Sequence, residues 1–239
     1  MVKNNKNSRR NFLKKSIIIP PLIIVPRHVL GGKGYTSPSD KLNIAGVGIR
    51  KWGMGSGNLL QCENENIVAL CDVDYNRSVP TFNKYPKAKV YKDFRVMMEN
   101  QKDIDAIVVA TPDHNHAVIT MMAMQMGKHV YCQKPLTHTV YEARVITEAA
   151  RKYKVQTQMG NQGASGDGTR WIEAVVQEGI IGDVKQVHVW TNRPVWPQGI
   201  PVPKDSMPVP KEIDWNLWLG TAPWREYHEA FMPTRWRGY

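Results

Sequence analysis

The chain has 239 residues, 42% of them hydrophobic, so it is long enough to bury a globular core as one large domain or two ordinary ones. Its formal net charge of +11 is concentrated at the amino terminus: residues 1–41 hold nine of the 32 basic residues and one of the 21 acidic residues, which leaves a net charge of +3 on the remainder. Because a nucleic-acid-binding protein needs a basic face on its folded part, this distribution argues against nucleic acid as a partner.

The amino terminus carries a targeting pattern. Ser8–Lys14 reads Ser-Arg-Arg-Asn-Phe-Leu-Lys, a twin-arginine motif, and the apolar residues after it are interrupted by Pro20 and Pro21. That apolar stretch is too short and too broken to span a bilayer. Residues 1–40 are therefore predicted to be a bacterial Tat signal that directs the folded protein to the periplasm, with no transmembrane segment. A basic disordered tail is the alternative, and removal of the signal is left open.

The first predicted elements follow the order strand, glycine turn, helix, strand, acid. Residues 42–47 are a short apolar run, as expected of a strand buried on both faces of a parallel sheet, and residues 67–70 are the next strand. Gly46 and Gly48 come with the first strand, and Asp72 follows the second. This order suits a dinucleotide site, because glycines let the backbone approach a pyrophosphate and the acid accepts hydrogen bonds from ribose hydroxyls.

The spacing of these glycines departs from the usual G-x-G-x-x-G motif. Gly46 and Gly48 fit, but the next glycine is Gly53, so Arg50–Trp52 is predicted to lengthen the turn. A glycine cluster alone is more often a plain loop. Its position between two strands, with Asp72 downstream, is what favours a nucleotide site.

Strands and helices then alternate as far as residue 159. Helices are predicted over residues 75–85, 93–98, 117–126 and 139–153, and strands over residues 90–91, 105–111, 129–132 and 155–159. Pro80 is expected to end or kink the first of these helices, and Asp93 to cap the second. The alternation predicts an α/β fold, a doubly wound parallel (Rossmann) sheet over residues 41–158.

Polar side chains follow several of these strands. They are Asp72, Thr111–His116, Gln133–Lys134 and Asn161–Gln162. Because ligands of such sheets bind beyond the carboxyl ends of the strands, we expect these residues to share one edge and form a site. Ordinary turn roles are the alternative for His116, Asn161 and Gln162, and helix capping is the alternative for Asp113.

The character of the sequence changes at Met159. A glycine-rich loop leads to a predicted amphipathic helix at residues 171–178, an alternating strand at residues 184–191 and a proline-rich loop at residues 193–210. A lone strand cannot satisfy its edges. Residues 159–239 are therefore predicted to begin a second, sheet-based domain that the chain end cuts off.

The cysteines indicate neither disulfides nor a metal site. Cys62, Cys71 and Cys132 are widely separated and lie in or beside predicted core strands, so buried free thiols are expected. No C-x-x-C or H-x-x-x-H pattern accompanies them.

Three segments together resemble the Gfo/Idh/MocA oxidoreductases, the family of glucose–fructose oxidoreductase and inositol dehydrogenase. They are Ala45–Gly48 with Cys71–Asp74, Ala110–His116, and Gly127–Pro135. The resemblance covers residues 41–239. It implies an oxidoreductase that binds NAD, transfers hydride to or from a hydroxyl carbon of a sugar or polyol, and forms a homo-oligomer when full length. It also implies that residues 159–239 begin an incomplete α+β substrate domain and that the chain is truncated, since the family's second-domain catalytic Asp/His segment would lie further downstream.

The resemblance implies roles for individual residues. Lys134 matches the catalytic lysine of the family's Glu-Lys-Pro motif, which helps to move a proton near the nicotinamide. Gln133 replaces the usual Glu, which keeps an acceptor for a ribose hydroxyl but removes a charge that would hold the lysine's proton. Asp72 favours NAD, although Arg50 and Lys51 would tolerate the 2′-phosphate of NADP.

The predicted cofactor contacts are Gly46, Gly48, Gly53, Asp72, Thr111, Pro112, His116, Gln133, Lys134 and Asn161. The predicted substrate contacts are Gln162, Asn192 and Arg193. Two other functions stay open: an NAD-dependent glycoside hydrolase or lyase of the same family, and a truncated dinucleotide-binding chain without catalysis.

Overall fold

The structure, a computed structural model, describes Gly32, residues 36–192 and residues 198–239. The chain forms two compact units, Met1–Lys41 and Leu42–Tyr239. In the first unit a short 3₁₀-helix spans Pro38–Asp40, and the predicted Tat motif lies outside the described residues. No helix in the described ranges is long and apolar enough to cross a membrane.

Six parallel strands form the sheet of the second unit. Their bounds are β1 Asn43–Val47, β2 Asn66–Cys71, β3 Lys89–Tyr91, β4 Ala106–Val109, β5 His129–Gln133 and β6 Thr157–Gly160. The spatial order is β3-β2-β1-β4-β5-β6, so the order reverses beside β1, which pairs with both β2 and β4. This is the strand order of the Rossmann fold, and the predicted fold class is confirmed.

Seven α-helices accompany the strands in the described part of the chain. They are α1 Met54–Leu60, α2 Tyr75–Lys84, α3 Phe94–Asn100, α4 His116–Gln125, α5 Val140–Tyr153, α6 Asp167–Gln177 and α7 Trp215–Leu219. Asp93 caps α3 as predicted, through a hydrogen bond from the Arg95 N–H. Thr139 and Glu142 form a capping box at the start of α5.

Pro80 is expected from the sequence to end or kink α2, and the expectation that it ends the helix is wrong. The helix continues through Pro80 to Lys84. Proline removes the donor for the carbonyl of Asn76, but both residues are exposed, so water can bind that carbonyl instead.

Apolar side chains cover both faces of the sheet, as a doubly wound fold requires. One core cluster joins the strands to α3, α4 and α5 through residues such as Met97, Ile119 and Ile146. The other joins them to α1 and α2 through Leu59 and Phe82. Burying both faces explains why the central strands β1, β2 and β4 read as continuous apolar runs in the sequence.

The predicted strand at residues 184–191 is wrong. These residues have no regular structure, and Val187 and Val189 are 73% and 90% exposed. Among residues 161–192 and 198–239 no other strand is present to pair with them, and an unpaired strand leaves its N–H and C=O groups unsatisfied. The predicted helix before it is confirmed as α6, which begins earlier, at Asp167.

The carboxyl-terminal segment, defined here as residues 212–239, has its own apolar cluster. Trp215, Trp218, Tyr227 and Phe231 are buried together, and the Trp215 and Trp218 rings stack with their centroids 4.7 Å apart. The segment joins the sheet through the hydrogen bond from the Asp214 N–H to the Val73 carbonyl, 2.9 Å. It therefore packs beside the carboxyl end of β2.

Candidate functional site

A cleft runs along the carboxyl edge of the sheet, between the ends of β1, β2, β4 and β5 and the carboxyl-terminal segment. The predicted site residues that line it are Gly48, Gly53, Asp72, Thr111, Pro112, His116, Gln133 and Lys134. Strand ends that are distant in sequence thus meet at one edge, as parallel pairing requires. The contacts of these residues with a cofactor stay predictions.

Gly48 brings the turn after β1 against the end of β4. Its φ is +79°, and a Cβ added there would lie 2.7 Å from the Ala110 carbonyl carbon and from the Thr111 nitrogen. Glycine meets both demands, the left-handed backbone and the close approach. The expected longer turn is present: the Gly53 N–H bonds the Arg50 carbonyl at 3.0 Å, and Trp52 has a φ of +59°.

Gly46 has a different position from the one predicted for a pyrophosphate contact. It is buried in β1, and a Cβ there would lie 2.7 Å from Ile49 Cγ2 and 2.8 Å from Leu59 Cδ1. Gly46 therefore makes room for the packing of the turn and of α1 against the strand. It does not line the cleft.

Asp72 holds the turn after β1 through its carboxylate. Its Oδ2 accepts a hydrogen bond from the Ile49 N–H at 2.7 Å, and its Oδ1 accepts one from the Asp74 N–H at 3.0 Å. Burial raises the pKa of the Asp72 carboxyl, and hydrogen bonds from these backbone groups act in the opposite direction. The carboxylate keeps acceptor capacity for a hydroxyl in the cleft.

His116 connects the loops that follow β4 and β5. The side chain is 1% exposed, its Nδ1 lies 2.7 Å from the Pro135 carbonyl oxygen, and its Nε2 lies 2.8 Å from the Thr111 carbonyl oxygen. A buried ring that bridges two backbone carbonyls fixes the distance between the two loops. His116 therefore shapes the cleft wall as well as lining it.

Thr111 and Gln133 present buried polar atoms that lack partners. Thr111 Oγ1 and both side-chain polar atoms of Gln133 have no hydrogen bond with any described residue. Gly160, paired with Gln133 in the sheet, leaves room for the amide, since a Cβ there would lie 2.7 Å from Gln133 Nε2. Buried polar groups normally find partners, so these atoms point to a ligand.

Lys134 lies exposed at the rim of the cleft. No hydrogen bond or ion pair joins its Nζ to another residue in the described ranges. The ammonium group is thus available to a molecule in the cleft.

The remaining predicted contacts lie outside this lining. Asn161, Gln162 and Asn192 are exposed, and Gln162 Nε2 donates to the Tyr131 hydroxyl at 3.1 Å. Arg193 lies outside the described residues. In the described ranges, no three His, Cys, Asp or Glu side chains are grouped as metal ligands.

The carboxyl-terminal segment contributes to the cleft, which the sequence pattern did not predict. Trp218, Trp236 and Arg237 line it, and the Arg237 guanidinium binds both oxygens of Asp113 at 2.6 and 2.7 Å. Asp113 therefore pairs with Arg237 and does not cap α4. The Arg-Trp-Arg run at residues 235–237 was the available sequence signal for these contacts. Local sequence patterns do not predict a pairing between residues 124 positions apart.

His114 is enclosed by the same segment. Its Nε2 lies 3.1 Å from the Trp218 carbonyl oxygen, and its ring meets the Trp218 and Trp236 rings edge-on. Burial lowers the pKa of His114, which favours the neutral imidazole.

These residues fit a dinucleotide. Gly48 brings bare main chain to the cleft lining, Asp72 retains acceptor capacity for ribose hydroxyls, and the unpaired atoms of Thr111 and Gln133 suit further hydroxyl or amide partners.

Comparison with known proteins agrees with this fit. The sequence model of the Gfo/Idh/MocA family, described as "Oxidoreductase family, NAD-binding Rossmann fold", matches residues 42–161. Inositol 2-dehydrogenase of Salmonella typhimurium is 29% identical over 154 residues, 62% of this chain and 44% of that protein. D-glucoside 3-dehydrogenase of Escherichia coli is 31% identical over 136 residues, 56% of this chain and 37% of that protein. The chain thus spans less than half the length of these relatives.

Solved structures share the fold. The crystal structure of myo-inositol 2-dehydrogenase from Lactobacillus plantarum has a TM-score of 0.55 and 25% identity, covering 60% of this chain and 43% of its own. That of scyllo-inositol dehydrogenase from Lactobacillus casei, with bound NAD(H) and scyllo-inositol, has a TM-score of 0.54 at 22% identity over the same shares, a likeness of fold alone. The chain belongs to the Gfo/Idh/MocA oxidoreductases, and residues 42–161 are its NAD-binding Rossmann fold.

Proposed function

We propose that this protein is an NAD(H)-dependent oxidoreductase that acts on a hydroxyl carbon of a sugar or polyol. The observation that carries the proposal is the cleft itself, in which Asp72, Thr111, Gln133 and Lys134 meet from three strand ends, two of them with unpaired buried atoms. The inositol and glucoside dehydrogenases among the relatives support the substrate class.

The cleft residues divide into binding and proton-transfer groups. Gly48 offers bare main chain to a phosphate, and Asp72 accepts from a ribose hydroxyl. Thr111 and Gln133 donate to or accept from the polar groups that their buried positions face. NAD, when bound, supplies the hydride acceptor, and NADH the donor.

Lys134 is the residue we assign to proton transfer. Its exposed Nζ lies at the rim, free to exchange a proton with the reacting hydroxyl. The substitution Lys134→Met in the whole protein is expected to lower turnover by at least about 100-fold, the usual contribution of a positioned acid or base. Normal turnover by that variant would remove Lys134 from the mechanism.

Calorimetric titration of the 239-residue chain with NAD and NADH tests the binding step. Saturable binding at one site is expected, and Thr111→Val should weaken it roughly three- to tenfold through loss of one hydrogen bond. The matched control is Thr169→Val, because Thr169 is exposed on α6 and outside the cleft lining. A folded chain that binds neither nucleotide would refute the proposal.

The same experiments separate the alternative reactions. An NAD-dependent glycoside hydrolase or lyase would cleave substrate without accumulating NADH, whereas a dehydrogenase accumulates it. A chain that binds NAD without catalysis would show saturable nucleotide binding in the titration but no turnover of substrate.

Export and assembly form a further part of the proposal. The motif Ser8–Lys14 supports export through the Tat pathway to the periplasm, and the family resemblance supports a homo-oligomer. Cell fractionation that finds the protein in the cytoplasm would contradict export, and a monomer by light scattering would contradict assembly.

A further inference from the structure

A second cavity lies outside the nucleotide cleft, on the side of the sheet that α4 and α5 cover. Its volume is about 240 Å³, and residues of α4, α5, β5 and β6 line it. None of these residues lines the nucleotide cleft. A ligand in this cavity would therefore occupy a site separate from the one that the proposed function uses.

Helical periodicity explains which side chains of the two helices line the cavity. Thr120 and Met124 are four positions apart on α4, and Ile146 and Ala150 are four positions apart on α5, so each pair shares one helix face. Thr120 and Ala150 are small, which leaves space between the helices and the sheet. Because native interiors hold few voids larger than a water molecule, a space of this size suits a ligand.

The wall of the cavity is largely apolar. Met124, Val130 and Ile146 are at most 5% exposed, and Leu136 is half-buried. Ordered water needs several polar partners, which such a wall does not offer, so an apolar body is favoured over water. The thioether of Met124 also contacts aromatic rings favourably. The wall therefore suits an aromatic ring.

Thr120 adds a buried polar group without a partner. Its side chain is 2% exposed, and its Oγ1 has no hydrogen bond with any residue that the structure describes. The Cys132 thiol, which also lines the cavity, donates to the Gln133 and Leu136 carbonyls at 3.6 and 3.7 Å. A buried hydroxyl normally has a hydrogen-bond partner, so Thr120 points to a polar group on a ligand.

The mouth of the cavity is polar and carries a cation. Its residues line the cavity and are exposed to solvent; they are Thr147, Arg151, Thr157 and Gln158. No hydrogen bond or ion pair joins the Arg151 guanidinium to another residue in the described part of the chain. Because a guanidinium can bind a carboxylate through two parallel hydrogen bonds, the mouth favours a ligand with an anionic end.

We propose that the cavity between α4, α5 and the strands β5 and β6 binds a phenolic acid, a small aromatic ring with a hydroxyl at one end and a carboxylate at the other. The ring packs against Met124 and Ile146, and the hydroxyl forms a hydrogen bond with Thr120. The carboxylate pairs with Arg151 at the mouth. Binding is independent of the proposed function, because no residue of this site lines the nucleotide cleft.

Calorimetric titration of the intact chain with para-hydroxyphenylacetate tests the proposal. Phenylacetate and para-hydroxyphenylethanol each lack one of the two polar groups, and each should bind roughly three- to tenfold more weakly through loss of its hydrogen bonds. Thr120→Val keeps the shape of the side chain and should remove the preference for the hydroxyl. Arg151→Gln should remove the preference for the carboxylate.

Arg144→Gln is the matched control for the charge. Arg144 is an exposed arginine of the same helix, outside the cavity lining, so its loss should leave the affinities for all three probes unchanged. Equal affinities of the wild type for the three probes would overturn the proposal. Equal effects of Arg151→Gln and Arg144→Gln would also overturn it.

Methyl NMR of the methionines locates the probe without any variant. para-Hydroxyphenylacetate should shift the methyl signal of Met124 and leave that of Met232, which lines the nucleotide cleft, in place. A shift of Met232 alone would mean that the probe binds in the cleft and would overturn the proposal. Absence of saturable binding would overturn it as well, and a parallel titration with NAD shows separately whether the proposed function holds.

Discussion

Gly48 is the residue whose replacement we expect to damage the cleft most. Its φ of +79° disfavours any side chain, and a Cβ would lie 2.7 Å from backbone atoms of Ala110 that cannot move aside cheaply. Gly48→Ala should therefore lower the free energy of unfolding by about 1–3 kcal/mol. It should also weaken NAD binding, because the turn moves away from β4. Urea denaturation and nucleotide titration measure the two effects.

Gly57 supplies the matched control. It lies inside α1, and a Cβ there would meet no atom within 4 Å. Gly57→Ala should raise the free energy of unfolding by about 0.5–1 kcal/mol, because alanine loses less backbone entropy in a helix. Equal free energies of unfolding for Gly48→Ala and Gly57→Ala would show that the left-handed backbone at Gly48 does not contribute to the stability of the fold.

Single residues of the site were predictable when they follow a buried strand. Asp72, Thr111 and Gln133 come after apolar runs, and the carboxyl ends of parallel strands share one edge, so their meeting follows from the chain order. Side-chain surroundings were not predictable in the same way. The packing of Gly46 against Leu59 and the bridge made by His116 depend on neighbours that no local pattern specifies.

At the scale of elements, prediction succeeded where burial alone decides the structure. The four central strands β1, β2, β4 and β5 have sequence runs that mark them, because both faces of the sheet are covered there, whereas the edge strands β3 and β6 are short and largely exposed. The predicted strand at residues 184–191 failed, since alternating polarity describes one face of a strand but supplies no partner for its backbone. The stop at Pro80 failed because the freed carbonyl lies on an exposed face.

The sheet should protect two of the three thiols from alkylation. Cys71 in β2 and Cys132 in β5 are buried; burial raises the pKa of Cys71 well above its usual range and that of Cys132 to about 11. Cys62, just after α1, is half-buried, and burial raises its pKa as well. Iodoacetamide at pH 8 should therefore modify Cys62 first, and the other two only on unfolding, because the thiolate is the reactive form.

Peptide mapping by mass spectrometry measures the order in which the three cysteines are alkylated. Cys62→Ser should abolish labelling of the native protein and leave two reactive thiols in denaturant. Modification of Cys71 or Cys132 as fast as Cys62 in the native state would mean that the central strands open locally, contrary to their burial.

On the scale of the whole Leu42–Tyr239 unit, the carboxyl-terminal segment closes one side of the cleft through a few polar contacts. Asn115 Nδ2 donates to the Trp218 carbonyl at 3.2 Å, and the Thr221 hydroxyl donates to the His114 carbonyl at 2.6 Å. The bidentate Arg237–Asp113 pair adds a charged contact near the chain end. These bonds connect the loop after β4 to residues more than 100 positions later, which is why sequence patterns did not reveal them.

We expect the Arg237–Asp113 pair to stabilise this arrangement measurably. The side chains are 28% and 13% exposed, so Arg237→Gln leaves a largely buried carboxylate without its main donor. The free energy of unfolding should fall by about 1–3 kcal/mol, as for hydrogen bonds to charged groups. Nucleotide affinity should fall with it, because the segment that carries Trp236 lines the cleft. A double-mutant cycle with Asp113→Asn isolates the coupling.

The exposed pair Lys185–Asp183 is the control for this cycle. Its atoms are 3.2 Å apart, but its side chains are 82% and 88% exposed, so water screens their attraction. Lys185→Gln should change the free energy of unfolding by less than about 0.5 kcal/mol and leave nucleotide binding unchanged. A coupling energy for Arg237 and Asp113 no larger than that of the exposed pair would mean that the apolar cluster around Trp215 holds the segment by itself, and the cleft would then stay closed without the ion pair.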